Sequence, residues 1–300
     1  RRLLQIAAHN SRERRLWTAG VNELTAATEE ELAVMRGHRA EPRDEAAASA
    51  PDFSKAKEAP PSRVDWREHL PTVVTAVKDQ GQCGSCWAFA STEVVETHIA
   101  LTTGVLMEMA PQQVVSCTPT PSSMPDAGGC AGLNAERGLA YVSKSGIDTQ
   151  WRYPYLSGIT KQTGECMGNG TFASRLAGIT GFSSLPGYFQ VPDGMTQGDV
   201  MKMAVAQHGP IAVTVAAGNW HFYASGIFDG CDTFTVNLDH AVVLMGYGEG
   251  TDMHQGVTHW WLVRNSWGTT WGEKGYIRLA RYPNSEPCGF AGGLQLACGE

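Results

Sequence analysis

An α+β chain built as two segregated halves is what this sequence predicts, on three observations. Helix-like stretches come first and strand-like stretches second. No internal repeat interrupts that order. A length of 300 residues with 42% hydrophobic content suffices for one large domain or two modest ones with real cores. Residues 86–101 read as a buried helix that stops near Gly104, 134–143 as another ending before Gly146, and 198–207 as a third ending at Gly209-Pro210. Strand-like runs follow at 211–216, 241–247, 260–264 and 275–279. Residues 183–197, rich in Pro and Gly, read as a surface loop.

The totals exclude several classes. A net charge of −7 is far from the basic balance of a nucleic-acid binder. No apolar run approaches the roughly 18–20 residues of a membrane span. No secretory signal is visible, and Arg1-Arg2-Leu3-Leu4-Gln5 starts as if within a helix, so a leader and more are expected to have preceded it. Residues 1–59 balance their charges, and the remainder holds the whole −7 together with all eight cysteines. That distribution points to disulfides and an oxidising export route.

The first stretch is the least patterned. Leu3, Leu4, Ile6 and Ala7 in residues 1–10 suggest the end of an amphipathic helix. Thr28 to Gly37 suggests a short second helix: Thr28-x-x-Glu31 has the form of a capping box and Gly37 of a helix stop. Residues 38–61, rich in Ala, Pro, Glu and Lys without a period, read as an extended, mostly unpacked linker. By composition alone a floppy N-terminal tail is the better reading of this stretch.

Chemistry concentrates in Gly81-Gln82-Cys83-Gly84-Ser85-Cys86-Trp87-Ala88-Phe89-Ala90. Cys86 falls where a glycine-containing turn gives way to the helix. The positive end of a helix dipole favours thiolate over thiol, and the thiolate is the nucleophile. Such a group needs a base and something to orient that base. His240 leads into Ala241-Val242-Val243-Leu244-Met245-Gly246, which would hold an imidazole at the rigid edge of a sheet. Taken alone, a histidine there is more often structural. Asn265, in Trp261-Leu262-Val263-Arg264-Asn265-Ser266-Trp267-Gly268, offers a side-chain amide that can fix an imidazole's tautomer, with Trp267 as a shield from water. The same stretch also reads as an ordinary tryptophan-rich core turn.

Together, Cys86, His240 and Asn265 with their flanks resemble the papain family of cysteine proteases, in its cathepsin L-like form, with the chain as a partly truncated proenzyme. The likeness covers nearly the whole chain, with the spacing widened by insertions such as residues 183–197. It implies a two-domain papain-like fold, a helical half and a β-barrel-like half with the cleft between them, preceded by a helical propeptide. Residues 1–59 would be the inhibitory propeptide and 60–300 the peptidase domain. Ile6 and Asn10 fit the end of a long propeptide helix motif. Gly20-x-Asn22-x-Leu24-x-Ala26 fits a second motif partly, with Leu24 for its usual aromatic and Ala26 for its usual aspartate. Residues 38–59 would run through the cleft against the substrate direction, and maturation would fall near Glu58 to Ser62.

The same resemblance implies roles. Cys86 would attack a peptide carbonyl, His240 would pair with it as imidazolium and protonate the leaving amine, and Asn265 would orient His240. Gln80, otherwise a turn residue, would serve the oxyanion beside the Cys86 backbone N–H. Implied disulfides are Cys83–Cys130, Cys117–Cys166 and Cys231–Cys288, with Cys298 left over. Substrate would meet Gly132, Leu133, Asn134, Ala135, Thr214, Leu238, Asp239, Ala241, Trp267 and Gly293. The specificity pocket carries no charge and should take a hydrophobic residue second before the scissile bond. Leu133 replaces a glycine common in the family, which would narrow the cleft and weaken turnover of standard dipeptide substrates. The short, histidine-free loop between Cys117 and Cys130 favours an endopeptidase. The implied setting is a lysosome, an acidic vacuole or secretion, with an Asn169-Gly170-Thr171 sequon in keeping with secretion. The implied partners are protein or peptide substrates, its own propeptide and cystatin-like inhibitors, for a monomer with no metal or cofactor.

Three rivals stand beside this reading. Cys83-Gly84-Ser85-Cys86 is also the C-x-x-C of a thiol–disulfide oxidoreductase. The same pair could begin a zinc site, although no second close Cys/His pair completes it. A non-catalytic binding protein on a protease scaffold is the third.

Overall fold

Alternation along one strand joins the two halves of the molecule. The computed structural model describes residues 1–40, 51, 53, 59–167, 176–185, 191–230, 236–252, 256–282, 288–291 and 294–297. In chain order the elements before the linker are α1 (Arg2–Asn10), β1 (Trp17–Ala19) and α2 (Glu29–Val34). After it come β2 (Val64–Asp65), α3 (Cys86–Thr103), α4 (Pro111–Cys117), α5 (Ala135–Ser145), α6 (Ser157–Thr160) and α7 (Gln197–His208). The remainder is β3 (Ile211–Val215), β4 (Tyr223–Phe228), β5 (His240–Asp252), β6 (Gly256–Arg264), β7 (Tyr276–Arg281), β8 (Cys288–Ala291) and β9 (Leu294–Ala297).

Helix α3 is buried on nearly every side, so apart from Glu93 and Glu96 its buried residues are apolar or small and form no single stripe. Fully burying a side chain such as Phe89 or Val95 contributes roughly 1.5–3 kcal/mol. Gly104 ends the helix in the left-handed region at φ 73°. Asn134 caps α5 by accepting from Arg137 N at 3.0 Å, and Thr196 caps α7 in a capping box with Asp199.

Strand β5 pairs with β3, β2 and β6, and β6 pairs with β7. Because side chains alternate along a strand, Val242 and Leu244 belong to the core of the strand half, while Ala241, Val243 and Met245 pack in the core of the helical half. The halves are therefore not fully segregated: one strand builds both cores.

Other differences are specific. Among the described residues the sheet runs β1-β4-β7-β6-β5-β2 with β3 on β5, and its two ends do not pair, so it is open and not a closed barrel. Its outermost strand, β1, comes from the first 59 residues and pairs antiparallel with β4. On α1 only Ile6 is buried, and Leu3 and Leu4 face outward. Thr28 does form the expected capping box, but α2 ends at Val34 with Met35 as its C-cap, and Gly37 is not its stop. Gly37 lies where a Cβ would collide with the carbonyl of Gly84, so glycine is needed there for close backbone approach. The linker is not wholly unpacked, since Phe53 is buried against Val200, Met203 and Ala204 on α7. The pairing Cys231–Cys288, Gly293, Cys298, the Asn169 sequon and residues 41–50 lie outside the described residues. No helix among the described residues is long and apolar enough to cross a membrane.

Candidate active site

Three separate elements converge on Cys86. The thiol stands at the first position of α3, His240 opens β5, and Asn265 follows the last residue of β6. All three are fully buried. Sγ of Cys86 accepts from the backbone N–H of Ala241 at 3.5 Å, which brings the start of β5 against the start of α3. Nε2 of His240 lies 2.7 Å from Oδ1 of Asn265. That oxygen also accepts from Ser266 N at 2.8 Å, so it must be the amide's acceptor atom. Hence Nε2 carries a proton, and the neutral ring leaves Nδ1 bare; Nδ1 makes no hydrogen bond. Trp267 packs on the ring at 4.9 Å between centroids, and Trp220 meets it edge-on at 6.1 Å.

Gln80 is held from both ends. Its Oε1 accepts from Ser266 Oγ at 2.7 Å, and its Nε2 donates to the carbonyls of Cys83 at 2.8 Å and Met35 at 2.9 Å. Its main chain adds Gln80 N to Ser266 O at 2.9 Å.

The cleft between the halves is filled by residues 35–39. Gly37 O accepts from Leu133 N at 2.9 Å, Arg39 N donates to Leu133 O at 3.0 Å, and His38 N donates to Asp239 O at 2.9 Å. His38 pairs with Leu133 in the parallel sense. Arg36 Nε sits 2.8 Å from Asp239 Oδ2. Gly132, at φ 93°, passes so close that a Cβ there would strike the Gly37 carbonyl. Nearer Trp267, Asn22, Leu24, Glu31 and Met35 line a cavity of about 380 Å³ against Gln82 and Trp271.

This covering decides the charges. Burial pushes the Cys86 thiol up to about 11, although backbone N–H groups of Ala241, Gly37 and Trp87 favour its anion. Burial likewise pushes His240 down to about 4; the Asn265 bond opposes this, while Arg36 and His38 add to it. The helix terminus predicts a thiolate, but in the covered cleft the pair is neutral, because desolvation outweighs the roughly 0.3–2 kcal/mol of a helix dipole.

The other sequence candidates fall as follows. Thr214 pairs with Ala241 across β3 and β5, and Leu238 and Asp239 immediately precede His240. Asn134 is nearly buried as the cap of α5, and Ala135 is that helix's first residue. Leu133 is fully buried in the core of the helical half, yet its N–H and C=O keep their pairing. Cys83 is bonded to Cys130 and Cys117 to Cys166, leaving Cys86 as a free thiol. With Cys83 so engaged, neither a redox C-x-x-C nor a zinc pair with Cys86 is available. Sequence reasoning missed Ser266 as the anchor of Gln80, although it lies in the Asn265 motif. It also missed Met35 and Arg36 as cleft residues, because it began the cleft segment at residue 38; no local pattern marks the two.

A helix-borne thiol held by the backbone N–H next to a strand-borne imidazole, itself bonded to a side-chain amide, defines a papain-like protein. Residues 60–296 match the family described as Papain family cysteine protease, and the chain belongs to that family. Among its relatives, Cathepsin L of Sarcophaga peregrina is 40% identical over 234 residues, 77% of this chain and 62% of that protein. Procathepsin L of Mus musculus is 38% identical over 235 residues, 77% of this chain and 63% of that protein. The chain thus spans less than two thirds of the length of these two relatives. Among solved structures, digestive procathepsin L 3 of Tenebrio molitor larval midgut superposes with a TM-score of 0.75 at 30% identity, covering 95% of this chain and 85% of that one. A recombinant stem bromelain precursor gives 0.75 at 34% identity, covering 95% and 83%.

Proposed function

We propose that this chain is a latent cysteine endopeptidase, with residues 1–59 as the inhibitory prosegment and 60–300 as the peptidase domain. The observation that carries the reading is the stretch 35–39, which pairs with Gln80, Leu133 and Asp239 and buries Cys86 and His240. Its parallel pairing with Leu133 supports a chain direction opposite to that of a substrate. Similarity over 95% of the chain to a procathepsin and a bromelain precursor supports latency.

Removing the prosegment rehydrates the dyad, and the proton passes from Cys86 to Nδ1 of His240. The thiolate attacks the peptide carbonyl carbon. Gln80 Nε2, released from Met35 O, and the Cys86 backbone N–H receive the charge that develops on oxygen. The imidazolium gives its proton to the leaving amine as the C–N bond breaks. Water then attacks the thioester, His240 takes its proton, and the departing thiolate restores the starting pair. Asn265 holds the ring through Nε2 throughout.

Thr214, Leu238, Ala241 and Ala135 carry no charge, which supports a hydrophobic preference second before the scissile bond. The short Cys117–Cys130 loop supports endopeptidase action. Two disulfides support an exported enzyme of an acidic compartment or the extracellular space, glycosylated at Asn169. It acts as a monomer on proteins and is open to cystatin-like inhibitors once mature.

Acid incubation followed by N-terminal sequencing, epoxysuccinyl labelling and assay on hydrophobic dipeptide substrates tests this. Cleavage near Glu58 to Ser62, a single adduct on Cys86 and a rise in hydrolysis are expected. Equal hydrolysis before and after loss of residues 1–59 overturns latency, and an unlabelled Cys86 overturns the peptidase.

A further inference from the structure

Below the dyad, α3 carries two carboxylates that the mechanism does not use. Glu93 and Glu96 are both buried, in a helix whose other buried residues are apolar or small. Burying an ion is costly unless it is paired, so each must have a partner. Glu96 receives Lys78 Nζ at 2.7 Å, Thr75 Oγ1 at 2.6 Å and the backbone N–H of Met109 at 2.7 Å. Glu93 Oε1 lies 3.2 Å from Nη2 of Arg264, an arginine that is only 1% exposed. The same guanidinium donates to Thr75 Oγ1 at 3.3 Å and to the Ala76 carbonyl.

The partners occupy informative positions. Arg264 closes β6 and is followed directly by Asn265. Lys78 lies two residues before Gln80, and its carbonyl accepts from Gly268 N at 3.1 Å. Glu93 is seven residues, about two turns, beyond Cys86, so the two share one face of α3 about 10 Å apart along its axis. Cys86 touches β5 through Ala241 N, and Glu93 touches the end of β6 through Arg264. Contact at one point would leave the helix free to pivot or slide against the sheet. Contact at two points on one face fixes both its rotation and its height.

We propose that the buried Glu93–Arg264 pair, backed by Lys78–Glu96, is a positioning device that sets Cys86 in register with Asn265, and through Asn265 with His240. The proposal rests on the peptidase reading above. Arg264 and Glu93 are positioning residues; neither touches substrate. Misplacement at a reacting centre by about 1 Å can cost around 100-fold in rate, so a device this far from the chemistry can govern it.

The test uses full-length variants, matured by acid or by an added protease, with rates expressed per Cys86 titrated by an epoxysuccinyl inhibitor. Glu93→Gln and Arg264→Met each leave one buried charge without its counter-charge. Glu93→Leu combined with Arg264→Met removes both charges together, leaving only the Ala76 carbonyl without its side-chain donor, and keeps a folded variant in the series. For the double variant we expect a melting temperature close to that of the parent, kcat lowered at least about tenfold, KM within about twofold, and the alkaline limb of the pH–rate profile moved to lower pH as the ion pair loosens. Arg264→Lys should recover part of the loss. The proposal is overturned if the double variant folds with the parent's kcat and pH limbs, or if every variant loses activity only in proportion to its loss of titratable Cys86. A parent chain that takes no label at Cys86 overturns the peptidase reading itself, and the two failures are told apart by that control.

Discussion

The carbonyl of Met35 sits 2.9 Å from Nε2 of Gln80, on the donor proposed to receive the oxyanion. The proposed prosegment thus occupies the hydrogen bond that a reacting carbonyl would need, while Gly37 closes over the thiol. Latency in this picture has a chemical component as well as a steric one. Gln80→Ala should lower kcat of the mature enzyme about 100- to 1000-fold with a smaller change in KM, the usual cost of one oxyanion donor. Steady-state kinetics on a dipeptide substrate would measure it, and an unchanged kcat would remove Gln80 from the mechanism.

Arg36 binds Asp239, the residue beside His240, at 2.8 Å in a largely covered position. A hydrogen bond to a charged group in such a place contributes about 1.5–3 kcal/mol. In Arg36→Ala, labelling of the uncleaved chain by a thiol reagent at neutral pH should quicken by roughly tenfold or more. Stopped-assay labelling followed by intact mass reads this directly; no acceleration would mean that the ion pair adds nothing to closure.

Acid should open the cleft. Burial holds both His38 and His240 near 4, against an ordinary value of 6.5. Between pH 6.5 and 4 the detached state therefore binds more protons than the covered one. Docking keeps its full histidine contribution above that window and loses it as pH falls through it. Asp239 is pushed up by burial and works in the opposite sense, one carboxyl against two imidazoles. His38→Phe, which removes one of the two titrations, should move the pH midpoint of self-processing downward by about half a unit or more. Processing rates across pH 3–7 would test it, and an unmoved midpoint would exclude His38 from the response.

Leu133 contributes packing as well as backbone. Its side chain is buried with Val114, Val142 and other residues of the helical half. Leu133→Gly should cost about 2–5 kcal/mol of stability through the cavity it leaves. If the side chain also narrows the cleft, the same variant should turn over dipeptide substrates faster once corrected for its folded fraction. Thermal melts paired with kinetics per titrated thiol separate the two effects.

Removing a disulfide offers a fifth contrast. Cys83→Ser breaks the bond to Cys130 beside the active thiol. Loss of such a bridge typically costs about 2–5 kcal/mol, and Cys86 should still take an epoxysuccinyl label below the lowered melting temperature. Labelling that vanishes in the folded variant would mean that Cys83 has a chemical role of its own.

Much of the peptidase half was legible because its signals are local. Helix α3 announces itself by continuous burial up to a left-handed Gly104, α7 by its ending at Gly209, and β5 by the apolar run after His240. Thr28 and Glu31 form the box their spacing implies. Gly37 misled for a physical reason: a glycine needed for close approach to Gly84 looks in sequence like one needed to end a helix. Strand β1 and Phe53 escaped notice because each is stabilised by distant partners, β4 and α7.

What the chain's order alone determined is the inventory: a thiol before a buried helix, an imidazole before a buried strand, an amide in a tryptophan-flanked turn. Only tertiary packing decided their state. Whether Cys86 and His240 are charged depends on how much water reaches them, and that is set by Met35 to Arg39, which lie about fifty residues from Cys86 and about two hundred from His240 in the chain. Desolvation is a property of the assembled cleft, so no local pattern could have encoded it.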